Sequence, residues 1–194
     1  MSRAAGKFSE AMAAIDAVHA EDPEQAGGQP KELVYARRMS AWLAKLAPAA
    51  SEPLQLAVRC QHLRRWSIAR SAYPEGKIGY LRWRKESSIA HAALAGEILG
   101  RAGYDAAAVQ RAQSLIKKER IKQDREAQLL EDVTCLVFLE SEFAAFAPKH
   151  AEAKLVDILR KTWVKMSPAG REAALALAMA PALRTIMQKA LVQP

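Results

Sequence analysis

Apolar residues return every three or four positions along almost the whole of this chain, a spacing that admits little besides α-helix. Phe8, Met12, Ile15 and His19 open the pattern at i, i+4, i+7 and i+11, so all four share one helical stripe. That first helix runs into EDPEQAGGQP, whose two Pro and two Gly make a true break. A second helix is expected from about Lys31, with Leu33, Val34, Trp42, Leu43 and Leu46 as its apolar positions, stopping before Pro48. A third starts at the cap-like Ser51, with Glu52 and Pro53 in its first turn, where a missing N–H costs nothing.

The third helix carries Leu56, Cys60 and Leu63 on one face, which places His62 in its middle. Tyr73-Pro74-Glu75-Gly76 signals a turn. A fourth helix should run from about Lys77 or Tyr80 to Leu99, ahead of Gly100 and Gly103, with His91 midway along it. A fifth spans roughly Asp105 to Lys118 and a sixth Arg125 to Phe146, the latter strongly apolar. Another follows over Glu152 to Met166, with Leu155, Ile158, Leu159, Thr162 and Trp163 facing inward. A last one starts at Ser167-Pro168, and Pro181 either ends or kinks it. Neither an internal repeat nor an alternating strand pattern is visible. The expected fold is all-α, a single globular domain over 1–194, a bundle of about eight helices with a core over 7–166 and C-terminal helices over 168–192 packing on it.

Abundant alanine and only nine Gly and nine Pro in 194 residues agree with that fold. Cys60 and Cys135 both sit in apolar runs and are expected to be reduced and buried. The N-terminal MSRAAGKFSEAMAAID has charges within its first helix and so lacks the apolar core of a signal peptide, and no window is long and apolar enough for a membrane span. A cytoplasmic protein with no membrane partner is the expectation.

Charge narrows the function. The net charge is +8, and eight basic residues (Arg59, Arg64, Arg65, Arg70, Lys77, Arg82, Arg84, Lys85) against the single acid Glu75 fall between Arg59 and Lys85, leaving the rest of the chain close to neutral. A solvated basic face is the ordinary explanation of such a run, yet solvated faces favour Lys mixed with Glu, and six of these eight are Arg. Arginine binds phosphate and carboxylate in planar, bidentate fashion, so the bias favours an oxyanion ligand. Trp66, Tyr73, Tyr80 and Trp83 interleave with the arginines and offer rings for stacking on a base or on Arg itself, although part of that set belongs to the core. Arg37 and Arg38 on the second helix extend the patch only if they face it. The sequence has no Gly-rich phosphate loop, no G-x-S-x-G elbow and no C-x-x-C pair.

His62 and His91 stand beside apolar residues, and Glu131 and Asp132 sit inside the most apolar helix, where a carboxylate is costly unless paired, hydrogen-bonded or metal-bound. One interpretation converges His62, His91, Glu131 and Asp132 on a divalent ion, with Mn, Fe, Zn or Mg as candidates. The plainer one makes the histidines structural and the carboxylates partners of arginines. His19 and His150 lie near helix ends and receive no role.

The segments PKELVYARRMSAWL, LAVRCQHLRRWSIARSAYPEGKIGYLRWR, LLEDVTCLVFLE and KLVDILRKTWVKMS resemble a family of short helical proteins known as domain of unknown function 4202. The likeness runs from about Phe8 to Met166, and the QHLRRW plus YP-x-G-x-x-GYL-x-WR run is its most specific part. More distantly, the chain is similar to the HD-domain metal-dependent phosphohydrolases, all-helical proteins whose metal ligands are a His, a His-Asp doublet and a later Asp. That likeness implies metal positions at His62, His91 and Asp132, while Leu63 stands where the doublet would have Asp, and Tyr35 or Ala36 where the upstream His would be.

The expected activity is therefore that of an HD-like helical protein binding a phosphorylated small molecule or nucleotide, with phosphoester hydrolysis as its enzymatic form. In that form His62, His91 and Asp132 hold the metal, Glu131 acts as base or further ligand, and Arg59, Arg64, Arg65, Arg70, Arg82 and Arg84 hold the phosphate. The alternative is a non-catalytic RNA- or nucleotide-binding module in which Trp66, Tyr73, Tyr80 or Trp83 stack on bases. A third possibility is an interaction protein whose arginines pair with its own acids.

Overall fold

Side-chain caps decide where several helices begin. In the computed structural model, which describes residues 3–192, the Ser51 hydroxyl accepts from Leu54 N, Asp105 from Ala108 N, Asp124 from Glu126 N and Ala127 N, and Ser167 from Gly170 N. The first two and last two residues, included in the expected 1–194 domain, lie outside the described residues. Within the described part the chain is all-α apart from one two-residue strand pair, and its contacts divide it between Arg120 and Ile121 into two compact helical units.

The first unit opens with α1 (Arg3–His19), followed by the antiparallel pair β1 (Gln25–Ala26) and β2 (Gln29–Pro30). The hairpin occupies the stretch expected to be an open break, and no strand was expected from the sequence. Only two residues pair on each side, too few for an alternating pattern. Asp22, buried beyond α1, accepts from Glu24 N at 2.9 Å and Glu32 N at 2.8 Å and so ties this loop to the start of α2 (Lys31–Leu46). Next come α3 (Glu52–Arg59), two single 3₁₀ turns at Arg65–Ser67 and Arg70–Ala72, α4 (Gly76–Arg101) and α5 (Ala106–Ile116). α5 packs on α3 and α4, α2 packs on α3, and α1 lies against α2, α3 and α4. Ile15, Met39, Leu54, Leu56, Leu99 and Leu115 are almost fully enclosed there. Each such side chain contributes about 1.5–3 kcal/mol of burial.

One element departs from the sequence pattern where it matters. The third helix stops at Arg59, and His62 lies beyond it in a turn with φ 67°, followed by Arg64 at φ 50°. The helical spacing of Cys60 and Leu63 misled because both side chains still reach the core, at 0% and 2% exposure, from a backbone that has already unwound. The YP-x-G-x-x-G motif then turns the chain into α4: Gly76 has φ 83°, and a Cβ on Gly79 would lie 1.9 Å from the Pro74 carbonyl oxygen. Gly79 leaves no room for a side chain, and at Gly76 one would be strained.

The second unit is built on α6 (Arg125–Val137), which passes through a widened π turn at Phe138–Glu142 into α7 (Phe143–Phe146). A single turn at Ala147–Lys149, α8 (Glu152–Lys165), α9 (Pro168–Leu175) and α10 (Pro181–Val192) complete it. α8 and α9 pack on α6, and α10 packs on α8. Pro181 starts a separate helix. Cys60 and Cys135 are buried free thiols. No helix among the described residues is long and apolar enough to cross a membrane.

Candidate anion-binding site

His62 is the centre of the first unit's polar cluster. Its ring stacks on Tyr35, with centroids 4.3 Å apart and planes 10° off parallel, and lies 6.0 Å from the ring of His91. Nδ1 faces Glu32 Oε2 at 3.1 Å, and Arg65 Nη1 lies 2.8 Å from Nε2. A guanidinium can only donate, so Nε2 must accept and Nδ1 must carry the proton it gives to Glu32. The imidazole is thereby fixed as one neutral tautomer. The left-handed backbone at His62 and Arg64 costs about 1–2 kcal/mol at each residue, and strain of this sort persists where surrounding contacts over-determine it.

The three histidines and Glu32 of this cluster are all perturbed. Burial, then the charges of Arg65, Lys118, His19 and Arg84, hold its pKa well below the ordinary 6.5. His91 on α4 is 4% exposed and is pushed down to about 3, first by burial and then by His62, Arg65 and His19. His19 at the end of α1 is fully enclosed, donates from Nε2 to the Arg59 carbonyl at 2.9 Å, and is lowered chiefly by burial. Glu32 moves the other way, up to about 7, because desolvation outweighs the favourable charges of Arg65, His19 and Lys31. Three neutral imidazoles and one reluctant carboxylate therefore face a group of permanent cations.

The six arginines expected to hold an anion divide sharply. Arg59 is committed to Asp16 by two 2.7 Å bonds, with Ser40 Oγ as a third partner. Arg64 pairs with Glu21 at 2.8 Å and Arg82 with Glu86 at 2.8 Å, both at exposed positions. Arg70 donates to the Tyr73 carbonyl and closes its own turn. Arg65 and Arg84 differ: each reaches His62 electrostatically, Arg65 over the Trp83 ring at 4.5 Å and Arg84 beside the Tyr80 ring at 5.8 Å. Only one of the five N–H donors of Arg65 meets a hydrogen-bond partner among the described residues. Arg37 turns to Gln29, with Asp16 at 3.9 Å.

The aromatic set also divides. Trp83 is buried, with Nε1 donating to the Ile68 carbonyl at 2.8 Å, and serves as the plate beneath Arg65. Tyr73 donates its hydroxyl to Glu86, Trp66 is half-buried, and Tyr80 is the exposed member at 43%.

Glu131 and Asp132 belong to the second unit and have local employment. Asp132 Oδ1 accepts from Ser167 N at 2.8 Å and Gln128 Nε2 at 3.1 Å, while Oδ2 accepts from Ser167 Oγ at 2.5 Å. Gly170 fits against this carboxylate so closely that a Cβ would approach its carbon to 2.7 Å. Asp132 thus seats the N-terminus of α9 on α6. Glu131 has Lys165 Nζ at 3.9 Å. Among the described residues no three His, Cys, Asp or Glu side chains form a group able to hold a metal ion. Nε2 of His62 is already given to a guanidinium and both Asp132 oxygens are engaged, so the proposed ligands do not fit a resident metal as they stand.

Glu32, His19, Tyr35 and Lys118 complete the cluster and were not legible as site residues. An acid in a helix's first turn is the ordinary complement to the helix dipole, so Glu32 carries no signal of burial. Lys118 sits in a left-handed turn after α5 with φ 55°, a conformation its residue type does not announce. His19 was placed correctly on the buried stripe of α1, but its neighbours depend on the fold.

No curated protein and no solved structure matches the chain. Residues 9–187 match the family described as Domain of unknown function (DUF4202), a span that includes every residue of the cluster. The chain therefore belongs to the DUF4202 family.

Proposed function

We propose that the protein binds the phosphate of a phosphorylated small molecule or nucleotide at the Arg65 corner of its first unit, with Arg84 and Lys118 adding to the same positive field. One observation carries this: Arg65 is held in place by the Trp83 ring and by His62 Nε2 while most of its donors stay unspent. Holding a guanidinium before the ligand arrives reduces the entropy lost on binding. All three cations act on the neutral His62 imidazole, so they contribute to one positive field at that corner.

Binding rather than hydrolysis is the better supported form. Both ring nitrogens of His62 have partners, which leaves it no lone pair for a water. The RNA-binding alternative has less behind it, because Trp83 is buried and Tyr73 is tied to Glu86, leaving the exposed Tyr80 and the half-buried Trp66 as platforms. Calorimetric titration with inorganic phosphate and AMP tests the proposal. Arg65→Gln is expected to weaken both by about tenfold or more, since a charge-assisted bond is worth about 1.5–3 kcal/mol. Unchanged affinity in that variant overturns the assignment.

A further inference from the structure

Ser87 Oγ and His91 Nε2 are buried in the first unit without a hydrogen-bond partner among the described residues, at 3% and 4% residue exposure. They stand one turn apart on the face of α4 that also buries Trp83, so Trp83, Ser87 and His91 form a strip at i, i+4 and i+8. From Trp83 to His91 the helix rises about 12 Å. Arg65 lies over the Trp83 end, and the His62 ring approaches the His91 end at 6.0 Å. The proposed phosphate grip and two orphaned neutral polar atoms therefore share one strip of one helix.

We propose that Ser87 and His91 form a subsite for a hydroxyl-bearing part of the ligand, which makes its class a sugar phosphate or nucleotide rather than a bare phosphate. The inference rests on the phosphate-binding assignment at Arg65 and adds a second recognition element to it. A hydroxyl both donates and accepts, so it satisfies the serine oxygen and either tautomer of a neutral imidazole. His91 stays neutral with a pKa of about 3 and offers no charge to a second phosphate. Leaving two polar atoms buried and unpaired destabilises the free protein, and a bound hydroxyl supplies the partner that such groups call for.

The test compares ribose 5-phosphate with inorganic phosphate on the full chain, in the wild type and in Ser87→Ala, His91→Leu and Arg65→Gln. Ribose 5-phosphate is expected to bind about tenfold more tightly than phosphate, and His91→Leu to reduce that preference to about threefold or less with phosphate affinity retained. The ligand-free Tm of His91→Leu is expected to rise, because an orphaned polar group gives way to an apolar one. If His91→Leu does not fold, Ser87→Ala, which removes one oxygen, supports the same comparison. Equal binding of the two probes by the wild type, or a preference that survives both substitutions, overturns the hydroxyl subsite while an Arg65-dependent phosphate affinity stands. Absence of phosphate binding, or affinity indifferent to Arg65→Gln, removes the phosphate site and the subsite together.

Discussion

Arg65 gives its Nη1 hydrogen to His62 Nε2 across 2.8 Å, and this single contact fixes the histidine's tautomer, its neutrality and the orientation of the guanidinium. The pair joins a strained turn to a site. Protonating His62 would set two donors against each other, which agrees with its strongly lowered pKa. In Arg65→Gln the repulsion is relieved, so the His62 pKa, followed by NMR titration, is expected to move up toward 6.5. A His62 pKa unmoved by the substitution counts against this account.

Arg59 and Arg65 should separate stability from binding. Arg59→Gln removes two 2.7 Å bonds to Asp16 in a setting where the arginine side chain is 11% exposed, and is expected to cost about 1.5–3 kcal/mol in urea denaturation. Phosphate affinity should be untouched. Equal losses of affinity in Arg59→Gln and Arg65→Gln would show that the two act through the same fold-level effect.

Glu32 predicts a pH dependence. The unfolded carboxyl titrates near the ordinary 4.5 and the folded one near 7, so between those values the native state holds the extra proton. Its contribution is full below about 4.5 and is lost as pH rises through 7, about 3 kcal/mol in all. His19, His62 and His91, all lowered, act oppositely: their contribution is complete above 6.5 and is lost as pH falls toward their folded values. The difference in stability between wild type and Glu32→Gln, measured from pH 5 to 8, isolates the carboxyl and should widen in favour of Gln as pH rises. A constant difference would mean that Glu32 titrates normally.

Asp132 and Ser167 form a cap whose two halves should not add. Asp132→Ala leaves the Ser167 amide and hydroxyl short of a partner and is expected to cost about 3 kcal/mol. Ser167→Ala removes the hydroxyl that also caps Gly170 N, costing about 1 kcal/mol. The double variant should fall short of the summed losses by about 1 kcal/mol. Strict additivity in a denaturation cycle would show that the two do not act as a unit.

The turn after α3 gives a backbone prediction. Arg64 has φ 50° and an exposed partner in Glu21, so the pair is worth about 0–1 kcal/mol. Arg64→Gly should be nearly neutral, whereas Arg64→Val should cost about 1–2 kcal/mol more than Gly, since a β-branched residue resists the left-handed region. Thermal melts in which Val and Gly behave alike would place Arg64 outside that conformation in solution.

Helix identity was legible because apolar spacing and caps act locally: Ser51, Asp105 and Ser167 announce their helices whatever the rest of the chain does. The end of α3 was not legible, because Cys60 and Leu63 keep helical spacing while His62 between them turns left-handed. The arginine cluster was visible as composition, yet which guanidinium remained available was not. Arg59 and Arg64 found Asp16 and Glu21, each more than forty residues earlier in the chain.

By itself, then, the order of residues determined the helices, most of their boundaries, and the concentration of positive charge between Arg59 and Lys85. The tertiary structure alone decided that Glu32 and His19 would be buried beside His62, that Trp83 would lie under Arg65, and that Asp132 would serve α9. The physical reason is range: caps and periodicity act within a few residues, whereas desolvation and charge pairing depend on which distant segments share the same few ångströms.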